Sequence, residues 1–474
     1  MNLKVLRYAS LCCFLTIGCA SVGPDYVSPD TSSPAVWNSR VTGIASEADN
    51  PEILAKWWQT FNDDTLNSLI EMAVKGNKDL KSAGYALSAS RAKLRMTNAG
   101  KMPTFSASGS AKAVHYGDTS LDDQNVESYS AGFDASWELD LFGGLRRDTE
   151  AARADMQATH ESLRDALVSV LAETASAYIS LRSYQSSIAT AETDIKINGE
   201  LYDIADKKFK SGLADASDVK QALYQLEYSK TTLNDLRAKL NTSYNRLAVL
   251  TGQNPGSLNT LLEKEAVIPE IPLNIVTSIP ADVIRRRPDI RKSERSLAAQ
   301  TARIGAAKSD IYPKFYLNGT IGYQSDHAGS LFEGRNSTLS IGPTFKWALF
   351  DLGAVRQNIN VQTETQKQYL SQYEASVLSA FEEVENALNS FDEEYKKNKQ
   401  LKIAMDAAYA AYDLELKKYK AGLNDYTAVK TAQSAYISYK DKLTQSTGSA
   451  DNYLVALYKA LGGGWETYED ANEK

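Results

Sequence analysis

The chain has 474 residues, with 52 Lys and Arg against 59 Asp and Glu. A mean hydropathy of -0.37 leaves too little apolar sequence for a bundle of spanning helices, each of which needs about 20 mostly apolar residues; a formal charge of -7 gives no basic footprint for nucleic acid. Cys12, Cys13 and Cys19 all fall in the first nineteen residues, while His115, His160 and His327 stand singly, which excludes a disulfide framework, a Cys or His metal site and a Cys/His dyad.

Lys4 and Arg7 flank and interrupt an apolar run from Val5 to Ile17 that ends at Gly18, Cys19 and Ala20, the pattern of an export signal. Gly18-Cys19 resembles the lipobox of bacterial lipoproteins, with Thr16 in the place that pattern usually gives to Leu. Residues 1–18 are therefore read as a lipoprotein signal peptide, and Cys19 as the residue that carries a covalent lipid; no other cofactor is expected. One acyl signal anchors weakly, so a second membrane attachment is expected. Residues 19–64 and the linker 255–278 are Pro-rich, with Pro24, Pro29, Pro34 and Pro51 in the first and Pro255, Pro269 and Pro272 in the second. Both read as irregular connectors, because helix interiors do not tolerate proline.

A constant offset of 210 relates Pro103 to Pro313, Trp137 to Trp347, Gly143 to Gly353, Gly212 to Gly422 and Val219 to Val429. Two internal structural repeats follow, 65–254 and 279–464, with a tail at 465–474. In each, alternation predicts two strands, about 104–116 and 127–142, then about 314–325 and 337–350. Tyr129, Phe133, Trp137 and Leu139 share one face of the second strand, and Leu339, Ile341, Phe345, Trp347 and Leu349 share one face of the fourth. An apolar face with aromatics near its ends and a polar face opposite match the outside and inside of a transmembrane barrel. Closure takes at least about eight strands, so four per chain require a dimer, trimer or tetramer.

Each repeat continues as a long helical hairpin, about 145–252 and 355–462. Val377, Phe381, Val384, Leu388, Phe391 and Tyr395 keep a heptad frame that Asn398 and Lys402 break; the first repeat breaks it at Thr174, Gln185, Glu192, Gly199 and Asp206, and loosened packing is expected at these polar positions. Each long helix ends in Gly-Leu, where the glycine takes a left-handed cap, and the return helix starts behind Asp215 or Asn424 as N-cap.

Taken in order, Gly18-Cys19 with Val22-Gly23-Pro24-Asp25-Tyr26, Trp57-Trp58-Gln59-Thr60-Phe61, Arg287-Pro288-Asp289-Ile290, Phe142-Gly143-Gly144, Phe350-Asp351-Leu352-Gly353 and Leu461-Gly462-Gly463-Gly464 resemble the TolC/OprM-like outer-membrane factors. The resemblance covers nearly the whole chain and is strongest to their lipoprotein, NodT-like branch. It implies an α+β membrane protein: a homotrimer closing a 12-stranded outer-membrane β-barrel, four strands per chain, continued by a long α-helical periplasmic barrel, with a mixed equatorial region from residues 19–64, the linker and the C-terminus. It also implies a passive duct, lipid-anchored in the outer membrane, working with a periplasmic adaptor protein and an inner-membrane transporter of the resistance-nodulation-division (RND) type. Adaptor contact falls on Lys210, Gly212, Leu213, Lys420, Gly422 and Leu423. The family often carries Asp just before the Val of the second hairpin turn; here Asp218 precedes Val219 but Ala428 precedes Val429. Asp218 and Asp425 are thus the candidates for a carboxylate constriction that cations would hold shut.

An enzyme is not expected, since the chain has no Gly-x-Ser-x-Gly elbow, no clustered histidine and no Walker-type loop. The alternatives are a duct for ATP-driven type I protein secretion and a surface coiled-coil scaffold; the scaffold would leave the strands unexplained.

Overall fold

The computed structural model describes residues 21–30, 36–39, 45–48, 51–115, 125–264, 267–269, 274–278 and 285–466, so Cys19 lies outside the described residues. In chain order the elements are β1 (Ala45–Ala48), α1 (Pro51–Ala55), a 3-10 turn (Trp57–Phe61), α2 (Asp64–Gly76), α3 (Lys78–Ala99), β2 (Thr104–His115), β3 (Asn125–Leu139), α4 (Gly144–Lys210) and α5 (Ala216–Leu250). There follow α6 (Asn259–Leu262), β4 (Asn274–Ser278), α7 (Pro288–Ser309), β5 (Lys314–Ser325), β6 (Ser337–Lys346), α8 (Leu352–Lys420) and α9 (Tyr426–Ala460). The chain divides into two compact units. One contains the described residues of 21–30, 85–160 and 291–375; the other contains those of 36–84, 161–290 and 376–466.

The first unit is built on an antiparallel sheet in the order β2-β3-β5-β6. Its register sets Phe105 against Ala135, Ala107 against Phe133, Trp137 against Leu317, Ile321 against Leu339 and Phe315 against Phe345. Odd positions therefore form an apolar face that gives way to His115, Glu127, Ser325 and Ser337 at its loop end, and on it Phe105, Phe133, Ile321, Leu339, Ile341 and Phe345 are all exposed. Even positions form a hydroxyl-rich face knitted across strands: Ser136 Oγ donates to Asn318 Oδ1 at 2.8 Å and Asn318 Nδ2 to Thr344 Oγ1 at 2.8 Å. Among the described residues β2 and β6 each pair on one side only. The indole N–H of Trp137 donates to Lys101 O and that of Trp347 to Ile311 O, at 2.9 and 3.0 Å, so each indole is fixed to the chain entering the neighbouring strand.

Two strands stop before their alternation does. β3 ends at Leu139 rather than 142 because the Asp140 carboxylate turns to cap α4, accepting from Leu145 N at 3.3 Å and Arg146 N at 2.9 Å. β6 ends at Lys346 rather than 350, where the chain turns toward α8. Beside the sheet, residues 21–28 are strapped down. Val22 N donates to Phe142 O, buried Arg147 donates to Val22 O, Gly23 O and Asp25, and Tyr26 OH donates to Glu294. Gly23 (φ +102) crosses Gly305 so closely that a Cβ on it would lie 2.4 Å from the Gly305 Cα.

The second unit is built on two helical hairpins. Leu201 and Ala205 of α4, Ala222 of α5, Tyr412 and Tyr419 of α8, and Tyr426 and Val429 of α9 form one apolar cluster, so all four helices share a core. Two expectations fail here. Thr174 and Gln185 do not loosen the packing: both are buried, Thr174 Oγ1 bonds Val170 O, and Gln185 Nε2 bonds Leu262 O. Asn398 likewise reaches Thr447 Oγ1 at 2.9 Å. Polar groups that are paired can be buried without opening a void. The Pro-rich segments also hold regular structure, since β1 and β4 pair in parallel and α1 and α6 are helical. Pro51 and Pro288 each occupy the first position of a helix, where the missing N–H has no partner to lose.

The 3-10 turn supplies the central aromatic of this unit. Trp57 is fully buried, stacks on Tyr458 at 5.4 Å between ring centroids, and meets Trp58 and Phe61 edge-on. Asp63 caps α2, accepting from Thr65 N and Leu66 N, and its second oxygen accepts from Tyr178 OH at 2.6 Å. Leu66, Leu69, Ile70 and Ala73, spaced for one helix face, are all fully buried.

Candidate functional site

The two hairpin turns are 211–215 and 421–425, and they are near copies. Gly212 and Gly422 take φ +73 and +74. Leu213 N donates to Lys208 O and Leu423 N to Lys418 O, the Schellman closure that the Gly-Leu pairs predict. With the backbone turned in this way, Leu213 and Leu423 are 78% and 77% exposed. Apart from the chain neighbours, no described residue comes within 4 Å of a Cβ built on either glycine.

Lys210 and Lys420 lie at the helix ends beside these leucines. Lys210 pairs with Asp206 at 2.7 Å, and that bond raises its pKa. Asp215 caps α5 by accepting from Ser217 N. The second N-cap is Asp425, not Asn424: Asp425 accepts from Ala428 N at 2.9 Å. The Asn424 amide is drawn back instead to the carboxylate and carbonyl of Glu415, because its N–H donors match acceptors that a cap position does not offer. Asp218 lies in the first turn of α5.

The structure brings the two turns together through Lys208. Its ammonium donates to Tyr419 O at 2.9 Å and sits 3.7 Å from the centre of the Tyr419 ring. Burial lowers its pKa, opposed by the charge of Asp218. Tyr426, in the same core, is pushed up to about 12 by burial. Lys208 escapes sequence reasoning because its counterpart Lys418 pairs within its own helix, with Glu415.

A second group of polar residues is buried nearby in the same unit. The Asp194 carboxylate accepts from Asn198 Nδ2, Ser229 Oγ and Gln433 Nε2. Lys430 Nζ donates to Asn198 Oδ1 at 3.1 Å and Gln433 Oε1 at 2.6 Å. Asn198, Ser229 and Gln433 are almost wholly buried, so this ring ties α4, α5 and α9 with its members mutually satisfied. The available signal was Gln433, which follows Val429 by four on the buried face of α9.

Asp451 of α9 is different: it is fully buried, and among the described residues neither carboxylate oxygen has a hydrogen-bond partner. Burial raises its pKa well above 3.8, so the folded chain holds a proton that the unfolded chain releases. Stability then falls as pH rises above about 4. Replacement by Asn removes that penalty. In thermal melts of the purified protein, Asp451→Asn is expected to melt above the parent at pH 7.5 and to lose the advantage as pH approaches 4; equal melting at pH 7.5 would refute this.

The family model described as outer membrane efflux protein matches residues 69–253 and 279–463. The chain belongs to that family. It is 28% identical to Nodulation protein T of Rhizobium leguminosarum bv. trifolii, over 98% of each chain, and 29% identical to the probable efflux pump outer membrane protein TtgC of Pseudomonas putida, over 99% of this chain and 97% of that one. Among solved structures, the outer-membrane channel OprN matches with a TM-score of 0.88 and 31% identity, over 94% of this chain and all of that one. This outer membrane efflux protein is accordingly a channel of the outer membrane that extends into the periplasm, and its relatives are efflux channels rather than enzymes. The two matched segments share the offset of 210 found in the sequence, as do β2 with β5, α3 with α7 and α5 with α9.

Proposed function

We propose that three copies of this outer membrane efflux protein close a 12-stranded barrel, each chain giving four strands and two structural repeats, and that the helical hairpins line a periplasmic tunnel. The observation that carries this is the sheet itself: one face apolar, one face polar, and β2 and β6 left with one open edge each. An open edge invites another strand, and three identical sheets joined edge to edge leave none open. Cys19 carries the lipid, and the acyl chains add to the anchorage of the barrel.

The duct is passive, and the work is done by an inner-membrane pump of the RND type reached through a periplasmic adaptor. The adaptor covers Leu213 and Leu423 between Lys210, Gly212, Lys420 and Gly422. Cysteines placed at Lys210 and Lys420 should cross-link in cells to a periplasmic adaptor. Capture of an ATP-driven exporter instead would replace the pump class, and reproducible capture of neither, with the protein correctly exported, would overturn the tripartite role.

Asp218 and Asp425 place carboxylates at the turns as the cation-sensitive constriction. Asp425→Asn separates charge from capping, because Asn caps about as well as Asp. Single-channel conductance of this variant should lose its block by divalent cations; an unchanged block would remove Asp425 from that role.

A further inference from the structure

On the polar face of the sheet, one charged side chain stands apart. Six residues along β3 in one direction lies the level of Lys112, which pairs with Ser128; six residues along β5 in the other lies Lys314, which pairs with Lys346. Each level is about 20 Å from Asp134 at 3.3 Å per residue. Between them the face carries Thr104, Ser106, Ser108 and Ser110 on β2 and, on the other strands, Ser, Thr, Asn, Gln, Gly and Tyr with two acids, Asp134 and Glu138, both on β3. Glu138, four residues from Asp134 and about 13 Å along the strand, is taken up by Lys314 and Tyr316, whereas the partners of Asp134 are hydroxyls alone among the described residues.

It is also held in place. Ser108 Oγ, from the strand on one side, donates to one carboxylate oxygen at 2.7 Å, and Thr320 Oγ1, from the strand on the other, donates to the second at 2.8 Å. Neither donor is charged, so the negative charge is oriented without being neutralised. The lysine levels lie more than two screening lengths away in physiological salt, where that length is about 8 Å.

We propose that Asp134 is a specificity-determining residue of the lumen: a fixed carboxylate, repeated in each copy, that favours cationic over anionic solutes in the barrel. This rests on the reading of the polar face as the lining of a water-filled barrel. Asp/Glu rings set cation preference in other channels by the same physics.

A reporter cysteine at Ser340 tests it, since Ser340 pairs with Thr320, which pairs with Asp134, about 10 Å away across two strand spacings. The probes are two small methanethiosulfonates, one bearing trimethylammonium and one bearing sulfonate, applied to assembled channels, with the protein lacking Ser340→Cys as background. In 10 mM salt the ratio of cationic to anionic reaction rates should fall about fourfold on adding Asp134→Asn, the Coulomb effect of one charge at that distance on two reagents of opposite sign. Asp134→Glu should keep the ratio, and 1 M salt should erase the difference. A ratio unchanged by Asp134→Asn in 10 mM salt, with both reagents reacting in a heat-modifiable channel, overturns the role of Asp134. Failure of both reagents on the folded channel, with reaction after unfolding, overturns the aqueous lumen and this site with it.

Discussion

Gly132→Val is expected to abolish assembly of the channel, with the heat-modifiable form of the proposed trimer in outer-membrane fractions falling more than tenfold. Gly132 and Gly322 face each other in the register of β3 and β5. A Cβ on Gly132 would lie 2.7 Å from Ile321 O and 2.9 Å from Gly322 Cα; one on Gly322 would lie 2.6 Å from Ala131 O and 2.7 Å from Gly132 Cα. The obstruction is backbone on both sides, so no side chain can swing away to relieve it. Valine is otherwise favoured in strands, which makes the prediction opposite to propensity. Separating the pair would break ladder hydrogen bonds in the middle of the sheet, where the surroundings read as lipid on one side. Gly109→Ala and Gly319→Ala serve as controls, since a Cβ there meets its nearest atom at 3.7 and 3.6 Å, ordinary contact. Oligomer at parental level in Gly132→Val would show that the two strands can part without loss.

Trp57→Ala is expected to destabilise by about 3–5 kcal/mol, the range for removing a large buried aromatic. The ring is fully buried between Tyr458, Trp58 and Phe61, and its loss leaves a cavity with aromatic walls. Its indole N–H has no hydrogen-bond partner among the described residues, so Trp57→Phe keeps most of the packing and removes a polar atom that contributes nothing. The phenylalanine variant should therefore melt within about 1 °C of the parent and the alanine variant about 3–5 °C lower. Similar melting of the two variants would mean that the site collapses around the gap.

Local periodicity is why so much of the architecture was legible. Alternation from Tyr129 to Leu139 and heptads from Val377 to Tyr395 are short-range signals, and β3 and α8 contain them. The left-handed conformation of Gly212 and Gly422 was equally local. What the sequence hid depends on residues far apart in the chain. β1 pairs with β4 across more than two hundred residues, and no composition rule marks either as a strand. Asn424 and Asp425 are both good caps, and the choice between them is made by Glu415, nine residues earlier. The ring around Asp194 draws on three helices, so no window of sequence contains it. Gln185 looked like a flaw in a seam because its partner, Leu262 O, belongs to the linker.

The strap at residues 21–28 constrains the order in which the protein can be made. Its partners, Phe142, Arg147 and Glu294, leave the ribosome and cross the inner membrane only after the strap itself has done so. Tyr26 waits for Glu294, 268 residues behind it. The strap, exported before its partners, is thus among the last segments to find its place, and closing so long a loop is slow. Until then the first unit lacks its strap.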